Sequence, residues 1–267
     1  MKQTPQNPTP STHRPTLIFD LDGTLTDSGL GILRCAQFAL DHFGIRVDDL
    51  DLLRPFVGPP LEDSFIQFYG FTPEQADEAV RVYRERYFTT GVYENEVYPG
   101  TTEALDELRR RGYRMGIGSS KNEPMVHEVL RHFHLAHYFD FIAARDEAGV
   151  RHSKADVLRH ALAMEGCTLP DREGSTLPKK EGCTLPEREG STLPDTADSE
   201  PAWLQPSAAP ALMIGDRFYD IEGAHEVGLP AVGILWGGYA TRQEMDDCHA
   251  DFIADTWDDL LGFLDTL

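Results

Sequence analysis

Two aspartates separated by one residue are the clearest indication of catalytic chemistry in this sequence. Asp20 and Asp22 follow the short apolar run 16–19, which predicts a β-strand, and Gly23 comes next. Because residues i and i+2 of an extended chain point the same way, both carboxylates can face one site at the strand's carboxyl end. One could attack phosphorus as a nucleophile, and the other could protonate the leaving group and then activate water. The alternative is an ordinary Asx-Gly turn after a strand.

Three later segments place polar side chains beside apolar patterns. Residues 113–118 predict a strand that ends at Ser119, Lys154 opens an amphipathic helix, and the apolar run 212–214 leads into Gly-Asp-x-x-x-Asp. With Asp-x-Asp-Gly-Thr at the start, these segments resemble, in order, the four signatures of the haloacid dehalogenase superfamily. The resemblance covers residues 16–267 apart from one insertion. It implies an α/β fold, a Rossmann-like parallel sheet core with an inserted all-helical cap domain.

The resemblance implies catalytic roles for four residues. Asp20 would be the nucleophile, and Asp22 would protonate the leaving group and hasten hydrolysis of the phospho-aspartate. Ser119 would hydrogen-bond a phosphate oxygen, and Lys154 would bridge Asp20 and the transferring phosphoryl group. Taken alone, Ser119 could be a helix cap and Lys154 a surface lysine.

The resemblance also implies a Mg²⁺ cofactor. Its ligands would be Asp20, the backbone carbonyl of Asp22, and Asp216, with Asp220 reaching the water shell of the metal. Such an oxygen-only set suits Mg²⁺, and the metal would offset repulsion between an anionic nucleophile and an anionic phosphate.

The substrate implied by the resemblance is a small anionic phosphate ester. The loop 54–61 and the Gly-Asp-Arg-x-x-Asp form of the fourth signature favour the phosphoglycolate phosphatase-like branch, which includes 5′-nucleotidase-like enzymes. Ser119, Ser120 and Lys121 are the expected phosphate contacts, and Arg54 is a candidate for an anion at the cap. Two alternatives stay open: a β-phosphoglucomutase-like phosphomutase, and a non-catalytic binding protein.

The pattern of the chain predicts four parts. Residues 1–15 are polar and proline-rich and are expected to be a disordered leader, residues 16–28 and 99–267 form the core, and residues 29–98 form the helical cap. Helices are expected near 29–43, 61–69, 73–88, 102–111, 122–133, 154–164, 219–227 and 256–265, and further strands near 139–143, 211–215, 230–235 and 251–254.

An octapeptide repeat interrupts the core at residues 166–210. Each copy contains glycine and proline and only one leucine, so the segment is expected to be disordered. Because it leads into a parallel strand, it is expected at the amino edge of the sheet, away from the catalytic edge. A protein partner for the repeat is the less favoured alternative.

Charge and composition exclude several classes of protein. The net charge is −21, from 45 acidic and 24 basic residues, which argues against nucleic-acid polymers and anionic membrane surfaces as partners. No apolar run is long enough to span a membrane. Four cysteines in 267 residues do not make a disulfide framework. A cytoplasmic location is therefore expected.

Overall fold

A six-stranded parallel sheet forms the core of the computed structural model, which describes residues 14–146, 150–165 and 211–267. The strand order is β5-β4-β1-β6-β7-β8, and each neighbouring pair is parallel. A separate two-stranded ribbon joins β2 and β3. The predicted α/β fold is confirmed. The strands are β1 (Thr16–Phe19), β2 (Thr26–Asp27), β3 (Glu96–Val97), β4 (Met115–Asn122), β5 (Phe141–Arg145), β6 (Ala211–Gly215), β7 (Ala231–Ile234) and β8 (Phe252–Ala254).

Helices cover both faces of this sheet and also form the chain segment between β2 and β3. Their bounds agree with the predicted ones to within two residues, but one short helix, α8, was not predicted because its six residues bury only Met245. The helices are α1 (Gly29–His42), α2 (Leu61–Tyr69), α3 (Pro73–Thr89), α4 (Thr101–Arg110), α5 (Glu123–His132), α6 (Lys154–Met164), α7 (Phe218–Glu226), α8 (Arg242–Asp247) and α9 (Trp257–Leu264). Among the described helices, none is long and apolar enough to cross a membrane.

The central strand β1 is buried on both faces, which explains its continuous apolar sequence. Successive side chains of a strand point to opposite faces. Accordingly, Leu17 and Phe19 belong to a core with α4, α5 and α9, whereas Ile18 belongs to a second core with α6 and α7. Burial of both faces of β1 fixes the position of Asp20 at the carboxyl edge of the sheet.

The helical module between β2 and β3 consists of α1, α2, α3 and two 3-10 helices, Leu50–Phe56 and Gly91–Tyr93. Thr26 pairs with Val97 across the antiparallel ribbon, so the chain leaves the core and returns to it side by side. Inside the module, the Phe56, Phe65 and Phe71 rings pack together. Thr72 and Gln75 form a capping box at the start of α3, as their spacing predicts.

The chain approaches and leaves residues 166–210 at the amino edge of the sheet. Thr16, the first residue of β1, donates a hydrogen bond to the Glu165 carboxylate at 3.1 Å and pairs with Ala211 in the register of β6. Both flanks of the repeat thus lie opposite the edge that carries Asp20. The predicted disorder of 166–210, and of residues 1–13 of the leader, concerns residues outside the described ranges.

Candidate active site

Three neighbouring strands deliver the polar side chains of the candidate site. β4, β1 and β6 are adjacent. Asp20 and Asp216 directly follow β1 and β6, and Ser119 lies in β4 where the regular pairing with β5 ends. All three residues are buried. The strand that holds Ser119 continues to Asn122 through an irregularity after Ser119, so it is longer than predicted. The sheet order itself brings these residues together.

A cluster of three buried carboxylates forms the centre of the site. One oxygen from each of Asp20, Asp216 and Asp220 lies within 4.8 Å of the others. Burial raises the pKa of Asp20 to about 6, because its attraction to Lys154 offsets only part of the lost hydration and of the repulsion from Asp220 and Asp22. Burial and the repulsion from Asp220 and Asp20 raise the pKa of Asp216 well above its ordinary value. The cluster is therefore short of positive charge.

One oxygen of this cluster lacks a partner. Oδ2 of Asp216 is buried and has no hydrogen bond within the described residues, whereas its Oδ1 accepts one from the Thr24 hydroxyl at 3.2 Å. A buried unpaired carboxylate oxygen is costly. The oxygen-only donor set and this free oxygen fit a hard divalent cation.

Gly23 makes the close approach of Asp216 feasible. Its φ of +88° lies in the left-handed region, and a Cβ at this position would lie 2.1 Å from Oδ2 of Asp216. Only glycine meets both conditions. The glycine of the Asp-x-Asp-Gly segment is thus explained by both backbone conformation and space.

Lys154 is the cation that the chain itself supplies to the cluster. It is the first residue of α6, whose N-terminus is capped by Ser153 and Asp156. Its buried Nζ lies 3.0 Å from Oδ1 of Asp20, 2.6 Å from Asp220 and 2.7 Å from the Gly118 carbonyl. Burial lowers the pKa of Lys154, but the two carboxylates raise it by a larger amount. The net shift is upward, so the ammonium stays charged.

Asp22 points to a different partner. Its Oδ2 lies 2.6 Å from Nζ of Lys121, and its Oδ1 is buried without a hydrogen bond within the described residues. The Lys121 ammonium also lies 4.7 Å from the centre of the Tyr87 ring on α3. Lys121, predicted as a substrate contact, thus bridges the second aspartate and the helical module, a pairing that the sequence did not indicate.

A cavity of about 70 Å³ opens over Asp20 and Asp22 between the core and the helical module. Ser119, Ser120 and Lys121 line it, as expected for phosphate contacts. The module contributes apolar and charged walls. The lining residues from the module are Ile32, Phe56, Gly58, Pro59, Pro60, Leu61, Glu62, Tyr83 and Arg84, and those from the core also include Asn122, Met125 and Arg145.

Arg54 does not line this cavity. Its guanidinium donates a hydrogen bond to the Gly238 carbonyl at 3.0 Å and lies 5.0 Å from the centre of the Tyr239 ring. The structure thus places Arg54 at a contact between the helical module and the core. The reason is that the 3-10 helix turns this side chain toward the loop after β7, which sequence spacing cannot reveal.

Three charged residues of the cavity were missed in the sequence. Arg145 ends β5 and pairs with Glu62 of α2 at 2.8 Å, and Arg84 lies on α3. A signal existed for Arg145, because it follows a buried strand at the edge of the sheet where ligands bind. For Arg84 and Glu62 the signal was absent, since their orientation depends on how the module packs on the core.

Comparison with family models identifies the fold and its chemistry. The model described as haloacid dehalogenase-like hydrolase matches residues 17–170, and a second, HAD-hydrolase-like model matches residues 197–260. Among solved structures, a predicted phosphatase from Clostridium acetobutylicum has a TM-score of 0.77 at 32% identity, covering 95% of this chain and 99% of that one. A haloacid dehalogenase-like hydrolase from Streptococcus pneumoniae has a TM-score of 0.72 at 26% identity, covering 93% and 97%.

Curated relatives carry several activities. A 5′-nucleotidase from Pseudomonas aeruginosa is 36% identical over 223 residues, covering 84% of this chain and 83% of that protein. The tyrosine-protein kinase PtkA from Mycobacterium tuberculosis is 34% identical over 83% of this chain, which spans 62% of that protein. Pyrophosphatase PpaX from Bacillus velezensis is 27% identical over 92% of this chain and 94% of that protein. The chain belongs to the haloacid dehalogenase-like hydrolases and is a phosphatase of that family.

Proposed function

We propose that this chain is a Mg²⁺-dependent phosphatase that hydrolyses a small-molecule phosphate monoester through a phospho-aspartate at Asp20. One observation carries the proposal: Asp20 lies at the floor of a cavity, held by Lys154 and within 4.8 Å of Asp216 and Asp220. A buried carboxylate that is fixed by an ammonium group and faces a cavity is an arrangement suited to covalent catalysis.

The residues divide the reaction into two steps. Lys154 holds Oδ1 of Asp20, which directs the carboxylate at the phosphorus. As the bond from Asp20 to phosphorus forms, the ester bond breaks, and Asp22, which must carry a proton at this stage and not be paired as a carboxylate with Lys121, gives that proton to the departing alkoxide. Asp22 then takes a proton from water, whose oxygen attacks the phospho-aspartate and releases inorganic phosphate. Ser119 supplies a hydroxyl for a phosphate oxygen.

We propose that Asp20, Asp216 and the Asp22 carbonyl hold Mg²⁺, with Asp220 beside them. When bound, the metal supplies charge that offsets the repulsion between carboxylate and phosphate. The unpaired Oδ2 of Asp216 and the raised pKa of both Asp20 and Asp216 support this assignment.

We infer that the helical module 29–98 acts as the cap of the core. Its residues form much of the cavity wall, and Arg217 of the core donates a hydrogen bond to the Val57 carbonyl at 2.7 Å. A cap that closes over the ester excludes water from the first step. The proposed substrates are of the phosphoglycolate or nucleoside 5′-monophosphate type. A cytoplasmic location is part of the proposal, and the two described cysteines, Cys35 and Cys248, are free and buried.

The test compares two aspartate variants. Phosphate release from a panel of small esters is measured with purified wild type, Asp20→Asn, and the control Asp41→Asn, whose side chain is exposed on α1. The proposal expects Mg²⁺-dependent release by wild type and Asp41→Asn, reversible by chelation, and no turnover by Asp20→Asn because an amide cannot form the acyl phosphate. Substantial turnover by Asp20→Asn, or turnover indifferent to chelation, would overturn it.

A further inference from the structure

Two arginines lie in the cavity wall without a part in the proposed reaction. Arg84 comes from α3 of the helical module, and Arg145 comes from the carboxyl end of β5. Neither belongs to the phosphate contacts on β4. A cationic wall is unexpected in a chain of net charge −21. These two side chains are therefore candidates for binding an anionic group of a ligand.

Sheet geometry gives the separation between this wall and the nucleophile. β5 is two strands away from β1, with β4 between them. Neighbouring strands are about 4.8 Å apart, and the register places Arg145 two residues farther along the strands than Asp20, so the two backbones are roughly 12 Å apart. Both side chains face the cavity between them. A ligand with its phosphate on Asp20 reaches the arginine wall through a linker of only a few atoms.

Among the described residues, a single carboxylate pairs with this wall. Arg145 pairs with Glu62 at 2.8 Å. Burial raises the pKa of Glu62, but the hydrogen bond from Arg145 and the charges of both arginines lower it by a larger amount. The pKa is therefore below its ordinary value, and Glu62 is ionised. One carboxylate thus faces two guanidiniums. For Arg84, the described residues provide no hydrogen bond and no ion pair within 4.0 Å, which leaves its donors available.

The charge of the cavity wall bears on the far end of the ligand. The cavity of about 70 Å³ opens to solvent, so its volume alone sets no upper limit on the ligand. The far end of a nucleoside monophosphate is an uncharged base that does not need a guanidinium. Charge thus favours a ligand with a negative group at each end, and the short separation between Asp20 and the arginine wall favours a short one.

Building on the phosphatase function proposed above, we propose that Arg84 binds a second anionic group of the substrate. Arg145, held by Glu62, forms the adjacent wall. The substrate class is a short phosphate monoester whose other end is a carboxylate or a second phosphate. A guanidinium binds either group through two parallel hydrogen bonds, and these are stronger than bonds between neutral partners.

Three esters with the same two-carbon unit separate the two sources of negative charge. They are 2-phosphoglycolate, ethylene glycol bisphosphate, and 2-hydroxyethyl phosphate, whose far end is neutral. For wild type, kcat/KM is expected to be about 10- to 100-fold higher for one or both anionic esters than for the neutral one, as a charged hydrogen bond implies. The better of the two identifies the second group as carboxylate or phosphate.

Variants on one helix then assign the effect. Arg84→Gln is expected to reduce that preference about 10-fold or more, whereas Arg84→Lys retains part of it. Arg81→Gln is the matched control, because Arg81 lies one turn earlier on α3 and pairs with Glu78 and Glu85 at the surface. It is expected to keep the wild-type preference. Melting temperatures confirm that each variant is folded.

The outcomes separate this site from the reaction itself. Equal kcat/KM for the three esters, or an Arg84→Gln loss that is the same for all three, overturns the anion site and leaves the phosphatase function standing. An equal loss of preference in Arg81→Gln overturns it as well. No phosphate release from any ester by wild type, together with none from the broader panel, overturns the proposed function and this inference with it.

Discussion

Replacing the proposed nucleophile should stabilise the metal-free protein at neutral pH while it abolishes turnover. The pKa of Asp20 is about 6 in the folded protein against an ordinary value of 3.8. The folded state therefore holds this proton more tightly than the unfolded chain does, and stability is lost as the pH rises between these values. At about 1.4 kcal/mol per pH unit, ionised Asp20 costs the folded state roughly 3 kcal/mol above pH 7.

Asp20→Asn removes this cost, because asparagine does not ionise. In EDTA at pH 7.5, we expect the variant to melt roughly 6 to 12 °C above wild type, since each kcal/mol shifts the melting temperature of a chain of this size by about 2–4 °C. At pH 4.5 the advantage falls to about 1 kcal/mol, because Asp20 is then largely protonated in the folded state. Lys154 keeps Asp220 and the Gly118 carbonyl as partners, so no buried ammonium is left alone.

Thermal unfolding of wild type, Asp20→Asn and the exposed control Asp41→Asn, at both pH values, measures the effect. Added Mg²⁺ should raise the melting temperature of wild type and Asp41→Asn much more than that of Asp20→Asn. The reasoning would be refuted by an Asp20→Asn variant that is less stable than wild type at pH 7.5 in EDTA. An advantage that does not shrink at pH 4.5 would refute it too.

Three further predictions concern the metal, the turn and the insertion. Asp216→Ala should raise the Mg²⁺ concentration for half-maximal activity about 10-fold or more, and Ser119→Ala should change it little; equal shifts in the two titrations would contradict Asp216 as a ligand. Gly23→Ala should destabilise the fold by about 1–2 kcal/mol from its positive φ alone and, by displacing Asp216, should weaken the thermal response to Mg²⁺; an unchanged response contradicts it. Replacing residues 166–210 by a short Gly/Ser linker should preserve kcat, because both flanks lie at the amino edge; a fall in kcat/KM at constant melting temperature contradicts this.

The sequence predicted the parts of this protein that depend on strand order and local pattern. Asp20, Ser119 and Asp216 each follow or end a buried strand, so a parallel sheet brings them to one edge whatever the loops do. The helix bounds followed from apolar spacing and from caps such as Thr72. The roles of these site residues stay predictions until variants are measured.

The parts that the sequence did not predict depend on packing between the module and the core. Arg54 and Arg84 are both arginines of the helical module, and nothing in their neighbours shows which of them faces the cavity. The packed structure turns Arg54 to Gly238 and Arg84 to the cavity. The pairing of Lys121 with Asp22 was missed for the same reason, because the Tyr87 ring that faces Lys121 belongs to α3.

The ribbon of β2 and β3 has a consequence for how this molecule tolerates change. Because Thr26 and Val97 are paired neighbours, the covalent connections between the core and the module are two adjacent chain segments. Insertions, deletions or exchange of helices within the module leave that spacing, and hence the strand order of the core, unaltered. The nucleophile and its acidic neighbours are built entirely on the core side of the ribbon, whereas Arg84, Glu62 and Tyr83 are built beyond it. The proposed nucleophile and the proposed anion-binding Arg84 thus lie in segments whose covalent link is one pair of two-residue strands, so the module can be exchanged without a change in the strand order of the core.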